Sequence, residues 1–195
     1  MPLITRDSLL TLEAYARERH SFRARVMAHK RQRTLALGEH VTLFFEDELT
    51  MRYQIQEMLR IERIFEALGI QEELDTYNAL VPDGNNWKAT MMIEYPEVAQ
   101  RVHWLTLLKG IEHRVWIQVA SFEPVWALAD EDMTRQNETK TSSVHFLRFP
   151  LTPPLIAALQ AGATLAVGVE HPHYAATIHP VPPALHQALL QDLAV

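Results

Sequence analysis

The chain has 195 residues, 48% hydrophobic and 22% charged, the balance of a soluble globular protein able to bury a sizeable core. A net charge of −6 argues against a general nucleic-acid binder. The absence of cysteine excludes disulfides, thiolate nucleophiles, zinc–thiolate sites and cysteine-ligated iron–sulfur clusters.

Residues 6 to 19 are predicted to form a helix, with Leu9, Leu10, Leu12 and Tyr15 as its apolar contribution. A second helix is predicted from a Ser21 cap to Arg33, with Phe22, Val26 and Met27 as a thin apolar stripe. Gly38 ends this arm. Between Arg17 and Arg33 lie seven of the chain's 18 lysines and arginines, with one acid, Glu18. Such an arm is either an anion- or RNA-binding face or a solvated face docking on the chain's own acids; the sequence favours the second.

His40 to Phe45 reads as a strand, and the acids Glu46, Asp47 and Glu48 follow at once. Acid at a helix start complements the macrodipole, and Glu48 and Arg52 have the favourable i, i+4 order, so capping outweighs cation ligation here. The long stretch over 45–66, FEDELTMRYQIQEMLRIERIFE, is the central helix. At 100° per residue, Met51, Ile55, Met58, Leu59, Ile61, Phe65 and Leu68 share an apolar face, and Arg52, Gln56, Arg60 and Arg63 lie opposite. Gln54 and Glu62 fall inside the apolar arc, with Glu57 at its margin. Buried polar groups need partners, so these three demand an explanation.

A short helix over 71–80 and a turn at VPDGNNWK follow. A strand is predicted at 89–95 and a helix from Pro96 to about Lys109. HRVWIQV (113–119), SFEP and VWALA (125–129) form a hairpin signal. ADEDMTRQNETK is a polar connection with a helical turn. The strand SSVHFLRF (142–149) puts His145 on one face with Leu147 and Phe149, and Arg148 on the other with Val144 and Phe146. A helix at PPLIAALQAG, strands at 163–170 and in AATIHP, and a helix from Pro183 complete the chain. The pattern implies an α+β fold: a mixed or mostly antiparallel sheet of about six or seven strands, packed with a long central helix and several shorter ones.

Neither a flexible linker nor an internal repeat divides the chain, so one domain over 1–195 is expected, a helical basic arm (1–38) leading into an α+β core (39–195). The N-terminus lacks a secretory pattern, and no apolar run nears the roughly 18 residues of a membrane span. Cytoplasmic location is the expectation.

GxGxxG, Walker A, GxSxG, HExxH and paired helical ExxH motifs are all missing. Two candidate sites remain. EHPH (170–173), at the end of a central strand, offers Glu170, His171 and His173; His145 could join if its strand is a neighbour. A carboxylate with neutral imidazoles suits a transition metal such as Fe, Mn or Zn. The second candidate is a polar pocket on the central helix. There Glu57, half inside an apolar face, would have a raised pKa and act as general acid or base. Arg52, Arg60 and Arg148 would clamp an anionic substrate, with Lys88 and Lys140 as additions. A closed Glu–Arg–Gln network that fixes helix packing is the structural alternative.

The phrases LGEHVTLFFEDELTMRYQIQEMLRIERIFE, PDGNNWKATMMIEYPE, ADED, KTSSVHFLRF and GVEHPHY resemble a bacterial family catalogued as domain of unknown function 3501, from about Arg6 to Tyr174. The resemblance implies a stand-alone bacterial cytoplasmic protein encoded beside rubrerythrin-like and iron–sulfur oxidoreductase-like proteins. It therefore implies an accessory protein or metal-dependent enzyme near peroxide or iron redox chemistry, with those oxidoreductases as partners. A non-catalytic module for an anionic ligand, nucleic acid or partner oxidoreductase is the alternative.

Overall fold

A computed structural model of the chain describes residues 3–131 and 140–194. The helical turn expected in the polar connection lies outside the described residues. The first helix, α1 (Leu12–Gln32), is continuous where two helices were expected. Thr11 caps it, accepting from the Ala14 N–H at 3.3 Å. Ser21 sits mid-helix and donates its hydroxyl to the Glu18 carbonyl, so it opens nothing. Only Tyr15 and Val26 are fully buried along α1.

The expected helical arm over 1–38 ends instead in a strand, β1 (Thr34–Leu37), which turns at Gly38 (φ +73°) into β2 (Val41–Phe45). Four residues are too few for periodicity to separate strand from helix. Gly38 is needed there twice over: φ is positive, and Tyr174 crowds the place a Cβ would take. The Tyr174 hydroxyl donates to the Leu37 carbonyl at 2.5 Å and accepts from the His40 N–H at 3.0 Å.

Helix α2 (Glu48–Glu62) begins at a reciprocal cap. The Asp47 carboxylate accepts from the Thr50 N–H, and the Thr50 hydroxyl accepts from the Asp47 N–H, both at 2.9 Å. Glu48 and Arg52 pair at 3.2 Å, as their spacing implies. The helix ends sooner than expected, at Arg63 in the left-handed region (φ 57°). That break turns Phe65 and Leu68 out to 70% and 73% exposure instead of extending the buried face, and Ile61, still within the helix, is 59% exposed.

The chain continues through α3 (Ala67–Asn78), β3 (Asn86–Ile93), α4 (Val98–Leu107), β4 (Val115–Val119), β5 (Val125–Trp126) and β6 (Leu128–Ala129). It finishes with β7 (Val144–Pro150), α5 (Pro153–Gln160), β8 (Leu165–His171), β9 (Tyr174–Ile178) and α6 (Pro183–Leu190). The fold is α+β. Among the described residues the strands form two antiparallel sheets, β1-β2-β3-β7-β6 and β5-β4-β8-β9, where a single sheet of six or seven strands was expected. VWALA, read as one strand, serves both sheets. Val125 and Trp126 pair with β4, and Leu128 and Ala129 pair with β7. Between them the buried Ala127 donates its N–H to the Val115 carbonyl at 2.9 Å.

One hydrophobic cluster joins the sheets: Phe45, Trp87, Met91, Leu147 and Phe149 from the first meet Val115, Ile117, Val167 and Val169 from the second, with leucines of α4, α5 and α6. Helix α2 does not enter this core. Its Met51, Ile55 and Leu59 pack with Ile4, Leu74 and Val81 in a separate, smaller cluster. Among the described residues no helix is long and apolar enough to cross a membrane.

Candidate functional site

Strand alternation builds the site. Along β2, Val41, Leu43 and Phe45 face the core, so Thr42 and Phe44 face outward. The next outward position is Glu46, whose N–H bonds the Lys88 carbonyl at 2.8 Å. Phe44 pairs with Thr90, which pairs with Phe146; Thr42 pairs with Met92, which pairs with Val144. Met51 and Gln54 of α2, Tyr77 and Leu80 at the end of α3, and Lys30 of α1 complete the walls around this outer face. The result is a cleft of about 400 Å³, within the roughly 300–1,000 Å³ usual for small-molecule sites.

Its walls are mainly apolar and its floor holds one carboxylate. Glu46 is 5% exposed. Its Oε1 accepts from the Thr90 hydroxyl at 2.7 Å, while its Oε2 is buried and has no hydrogen-bond partner among the described residues. Leaving a buried acceptor unsatisfied costs on the order of 1–3 kcal/mol. Burial also pushes the Tyr77 phenol up, against a hydrogen bond from Gln54. Of the three acids after β2, then, Asp47 caps, Glu48 pairs, and Glu46 enters the cleft. The capping explanation covers the first two only.

The polar pocket expected around Glu57 is a closed seam between α1 and α2. Glu57 accepts from the Tyr15 hydroxyl at 2.6 Å, from Arg19 Nε and Nη2 at 2.7 and 2.8 Å, and from Arg60 at 3.4 Å. Arg19 above all holds its carboxyl down at about 2, the reverse of the expected rise. Arg52 pairs with Glu48, and Arg148 makes a two-pronged pair with Glu131 at 2.7 Å. Lys88 donates to the Ala79 carbonyl, and Lys140 is exposed. The three arginines therefore serve the chain's own acids rather than converging as a clamp. Gln56, expected on the polar stripe, is the buried glutamine: it accepts from the Leu10 N–H at 2.7 Å and donates to the Leu10 carbonyl.

The metal candidates are separated by the topology. His145 lies on β7 of the five-stranded sheet, and Glu170 and His171 lie on β8 of the other. Pro172 and His173 form the tight turn of the β8–β9 hairpin, so the expected extended His-x-His is absent. His171 Nε2 lies 3.1 Å from the Lys109 carbonyl, and its Nδ1 accepts from the His173 N–H; burial pushes its imidazole down. Glu170 is exposed. Among the described residues no three histidine, aspartate or glutamate side chains form a group that could hold a metal ion.

His145 does face the core with Leu147 and Phe149. Its Nδ1 is 2.5 Å from Asp130 Oδ2, and its Nε2 is 2.9 Å from Thr141 Oγ1 and 3.0 Å from the Ser142 carbonyl. Glu112 lies 3.9 Å away. The connectivity is that of an Asp–His–hydroxyl relay. However, His145 and Thr141 are fully buried, and the Ser142 carbonyl competes for the nitrogen that a base would use. The cluster clasps together Asp130 and Thr141, the two ends of one connection.

The basic arm divides in the same spirit. Arg33 is buried against Asp192 and Asp47, donating also to the Phe45 and Ala188 carbonyls, and Arg25 stacks 4.9 Å over the Phe22 ring. Arg17, Arg23 and Arg31 are exposed.

The family described as Protein of unknown function (DUF3501) matches residues 3–193. A crystal structure of a novel protein of unknown function from Burkholderia pseudomallei K96243 is 52% identical, with 99% of this chain and 100% of that chain covered and a TM-score of 0.94. No curated protein matches.

Proposed function

This chain belongs to the DUF3501 family, and from that premise we propose that it is a small-molecule-binding protein whose site is the cleft over the outer face of the five-stranded sheet. One observation carries the reading: Phe44, Met51, Leu80, Met92, Val144 and Phe146 wall a cleft of about 400 Å³ that Glu46 also lines, with its Oε2 lacking a hydrogen-bond partner among the described residues. A protein interior is close-packed and its buried polar groups are mostly satisfied, so a roomy apolar cleft lined by a half-satisfied carboxylate supports a ligand site. The geometry does not favour an anionic ligand here, because Glu46 would repel it.

The test is binding of a neutral solvatochromic dye to the folded protein. A blue-shifted, saturable signal is expected, and it is lost in Met92→Trp, which fills the cleft from its floor. Binding that survives Met92→Trp unchanged would place the dye, and the site, elsewhere.

A metal-dependent or accessory role in peroxide or iron redox chemistry, beside rubrerythrin-like or iron–sulfur oxidoreductase-like partners, rests on the resemblance and on residue type at His145, Glu170 and His171. Elemental analysis of freshly purified protein tests the metal, and co-purification tests the partner.

A further inference from the structure

We propose that the guest of this cleft is an organic ammonium: a molecule with one primary amine seated on Glu46 and an apolar or aromatic body lying against the sheet. The inference rests on the cleft reading and names its ligand class. The lining carries it. Glu46 is an acceptor at both oxygens; Thr90 donates to one, and the other has no hydrogen-bond partner among the described residues, so it calls for a donor. That oxygen has essentially no accessible surface, so a donor in the cleft reaches it as Glu46 turns toward the space that it lines.

The walls suit such a body and such a head. Phe44 and Phe146 present rings on the face beside Glu46, and aromatic faces attract organic cations. Met51 and Met92 add flexible, polarizable side chains that adapt to an irregular guest. An ammonium–carboxylate bond is charge-assisted and about twice as strong as a neutral one, so an amine outcompetes an isosteric alcohol for the same oxygen. Lys30 lines the same cleft as a cation, which leaves Glu46 as the one acid among the described lining residues to draw a positive charge.

The experiment titrates the intact protein with three probes of similar size: 2-phenylethylamine, 2-phenylethanol and 3-phenylpropionate. Calorimetry is expected to rank them amine, alcohol, carboxylate, with the amine about tenfold tighter than the alcohol. In Glu46→Gln the amine preference is expected to fall to within about twofold, while the alcohol is little affected. Wild-type protein that binds amine and alcohol equally overturns the inference and leaves the cleft standing; that series stands whether or not the variant folds. A tenfold amine preference that persists in folded Glu46→Gln also overturns it. Probe binding that is indifferent to Met92→Trp overturns the cleft reading itself.

Discussion

Two carboxylates flank the start of α2 and its middle, and they are treated in opposite ways. Glu57 sits in a seam where Tyr15, Arg19 and Arg60 fill both of its oxygens. Glu46 lines a cleft; Thr90 fills one of its oxygens, and the other has no hydrogen-bond partner among the described residues. A fully partnered carboxylate contributes to how two helices pack. A half-partnered one that lines a cleft has an oxygen left over for a donor. Polarity in an apolar context does not by itself mark a site; the state of satisfaction does.

Substitutions should separate the two treatments, beginning where the expected effect is largest. Arg33→Met strands the Asp47 and Asp192 carboxylates that the guanidinium pairs with. Breaking one side of a buried pair costs on the order of 3–5 kcal/mol, to be read from urea unfolding. This fixes the scale for a structural network.

Glu57→Gln should cost less, about 1–2 kcal/mol, because Arg19 is partly solvated and its attraction is screened. Its signature is pH dependence. The Glu57 carboxyl titrates near 2 in the folded chain against 4.5 ordinarily, so its contribution is complete above about 4.5 and vanishes as pH falls toward 2. The stability gap between wild type and variant should close over that window. A constant gap would remove Glu57 from the ionic seam.

Glu46→Leu should break the pattern. Removing a carboxylate that is only half satisfied is expected to leave stability unchanged or raise it by about 1 kcal/mol. Amine binding should be lost at the same time. A loss of stability as large as that of Arg33→Met would make Glu46 architectural and erase the contrast. The smallest effect is expected at Arg23→Glu with Arg31→Glu: stability within about 0.5 kcal/mol of wild type, and unchanged probe affinity.

Much of this arrangement was legible in the chain. Alternation along 142–149 put His145 on one face with Leu147 and Phe149, and Val144 and Phe146 on the other, as found. The central helix, though not its early end, and the Glu48–Arg52 pair followed from periodicity and spacing. Local rules failed where distant segments decide. Gln56 reads as a surface residue until the chain around Leu10 folds onto it, and the left-handed turn at Arg63 leaves Phe65 and Leu68 exposed, though their periodicity assigns them to the core. Glu46 was visible as an acid after a strand, and the same alternation that placed Phe44 outward places it there too. What periodicity could not supply was the roof. Tyr77 comes from a later helix, Leu80 from the turn after it and Phe146 from a strand far along the chain, and they meet around the outward Glu46.

Adjacent residues on opposite faces of β3 offer the most direct test. Met92 lines the cleft, whereas Met91 is fully buried in the core between the sheets. With methyl-13C-labelled methionine, titrating 2-phenylethylamine should shift the Met92 and Met51 methyls through ring currents and leave Met91 in place. Unmoved Met92 and Met51 methyls at saturating probe would contradict the account, because the bound ring would then lie outside the cleft.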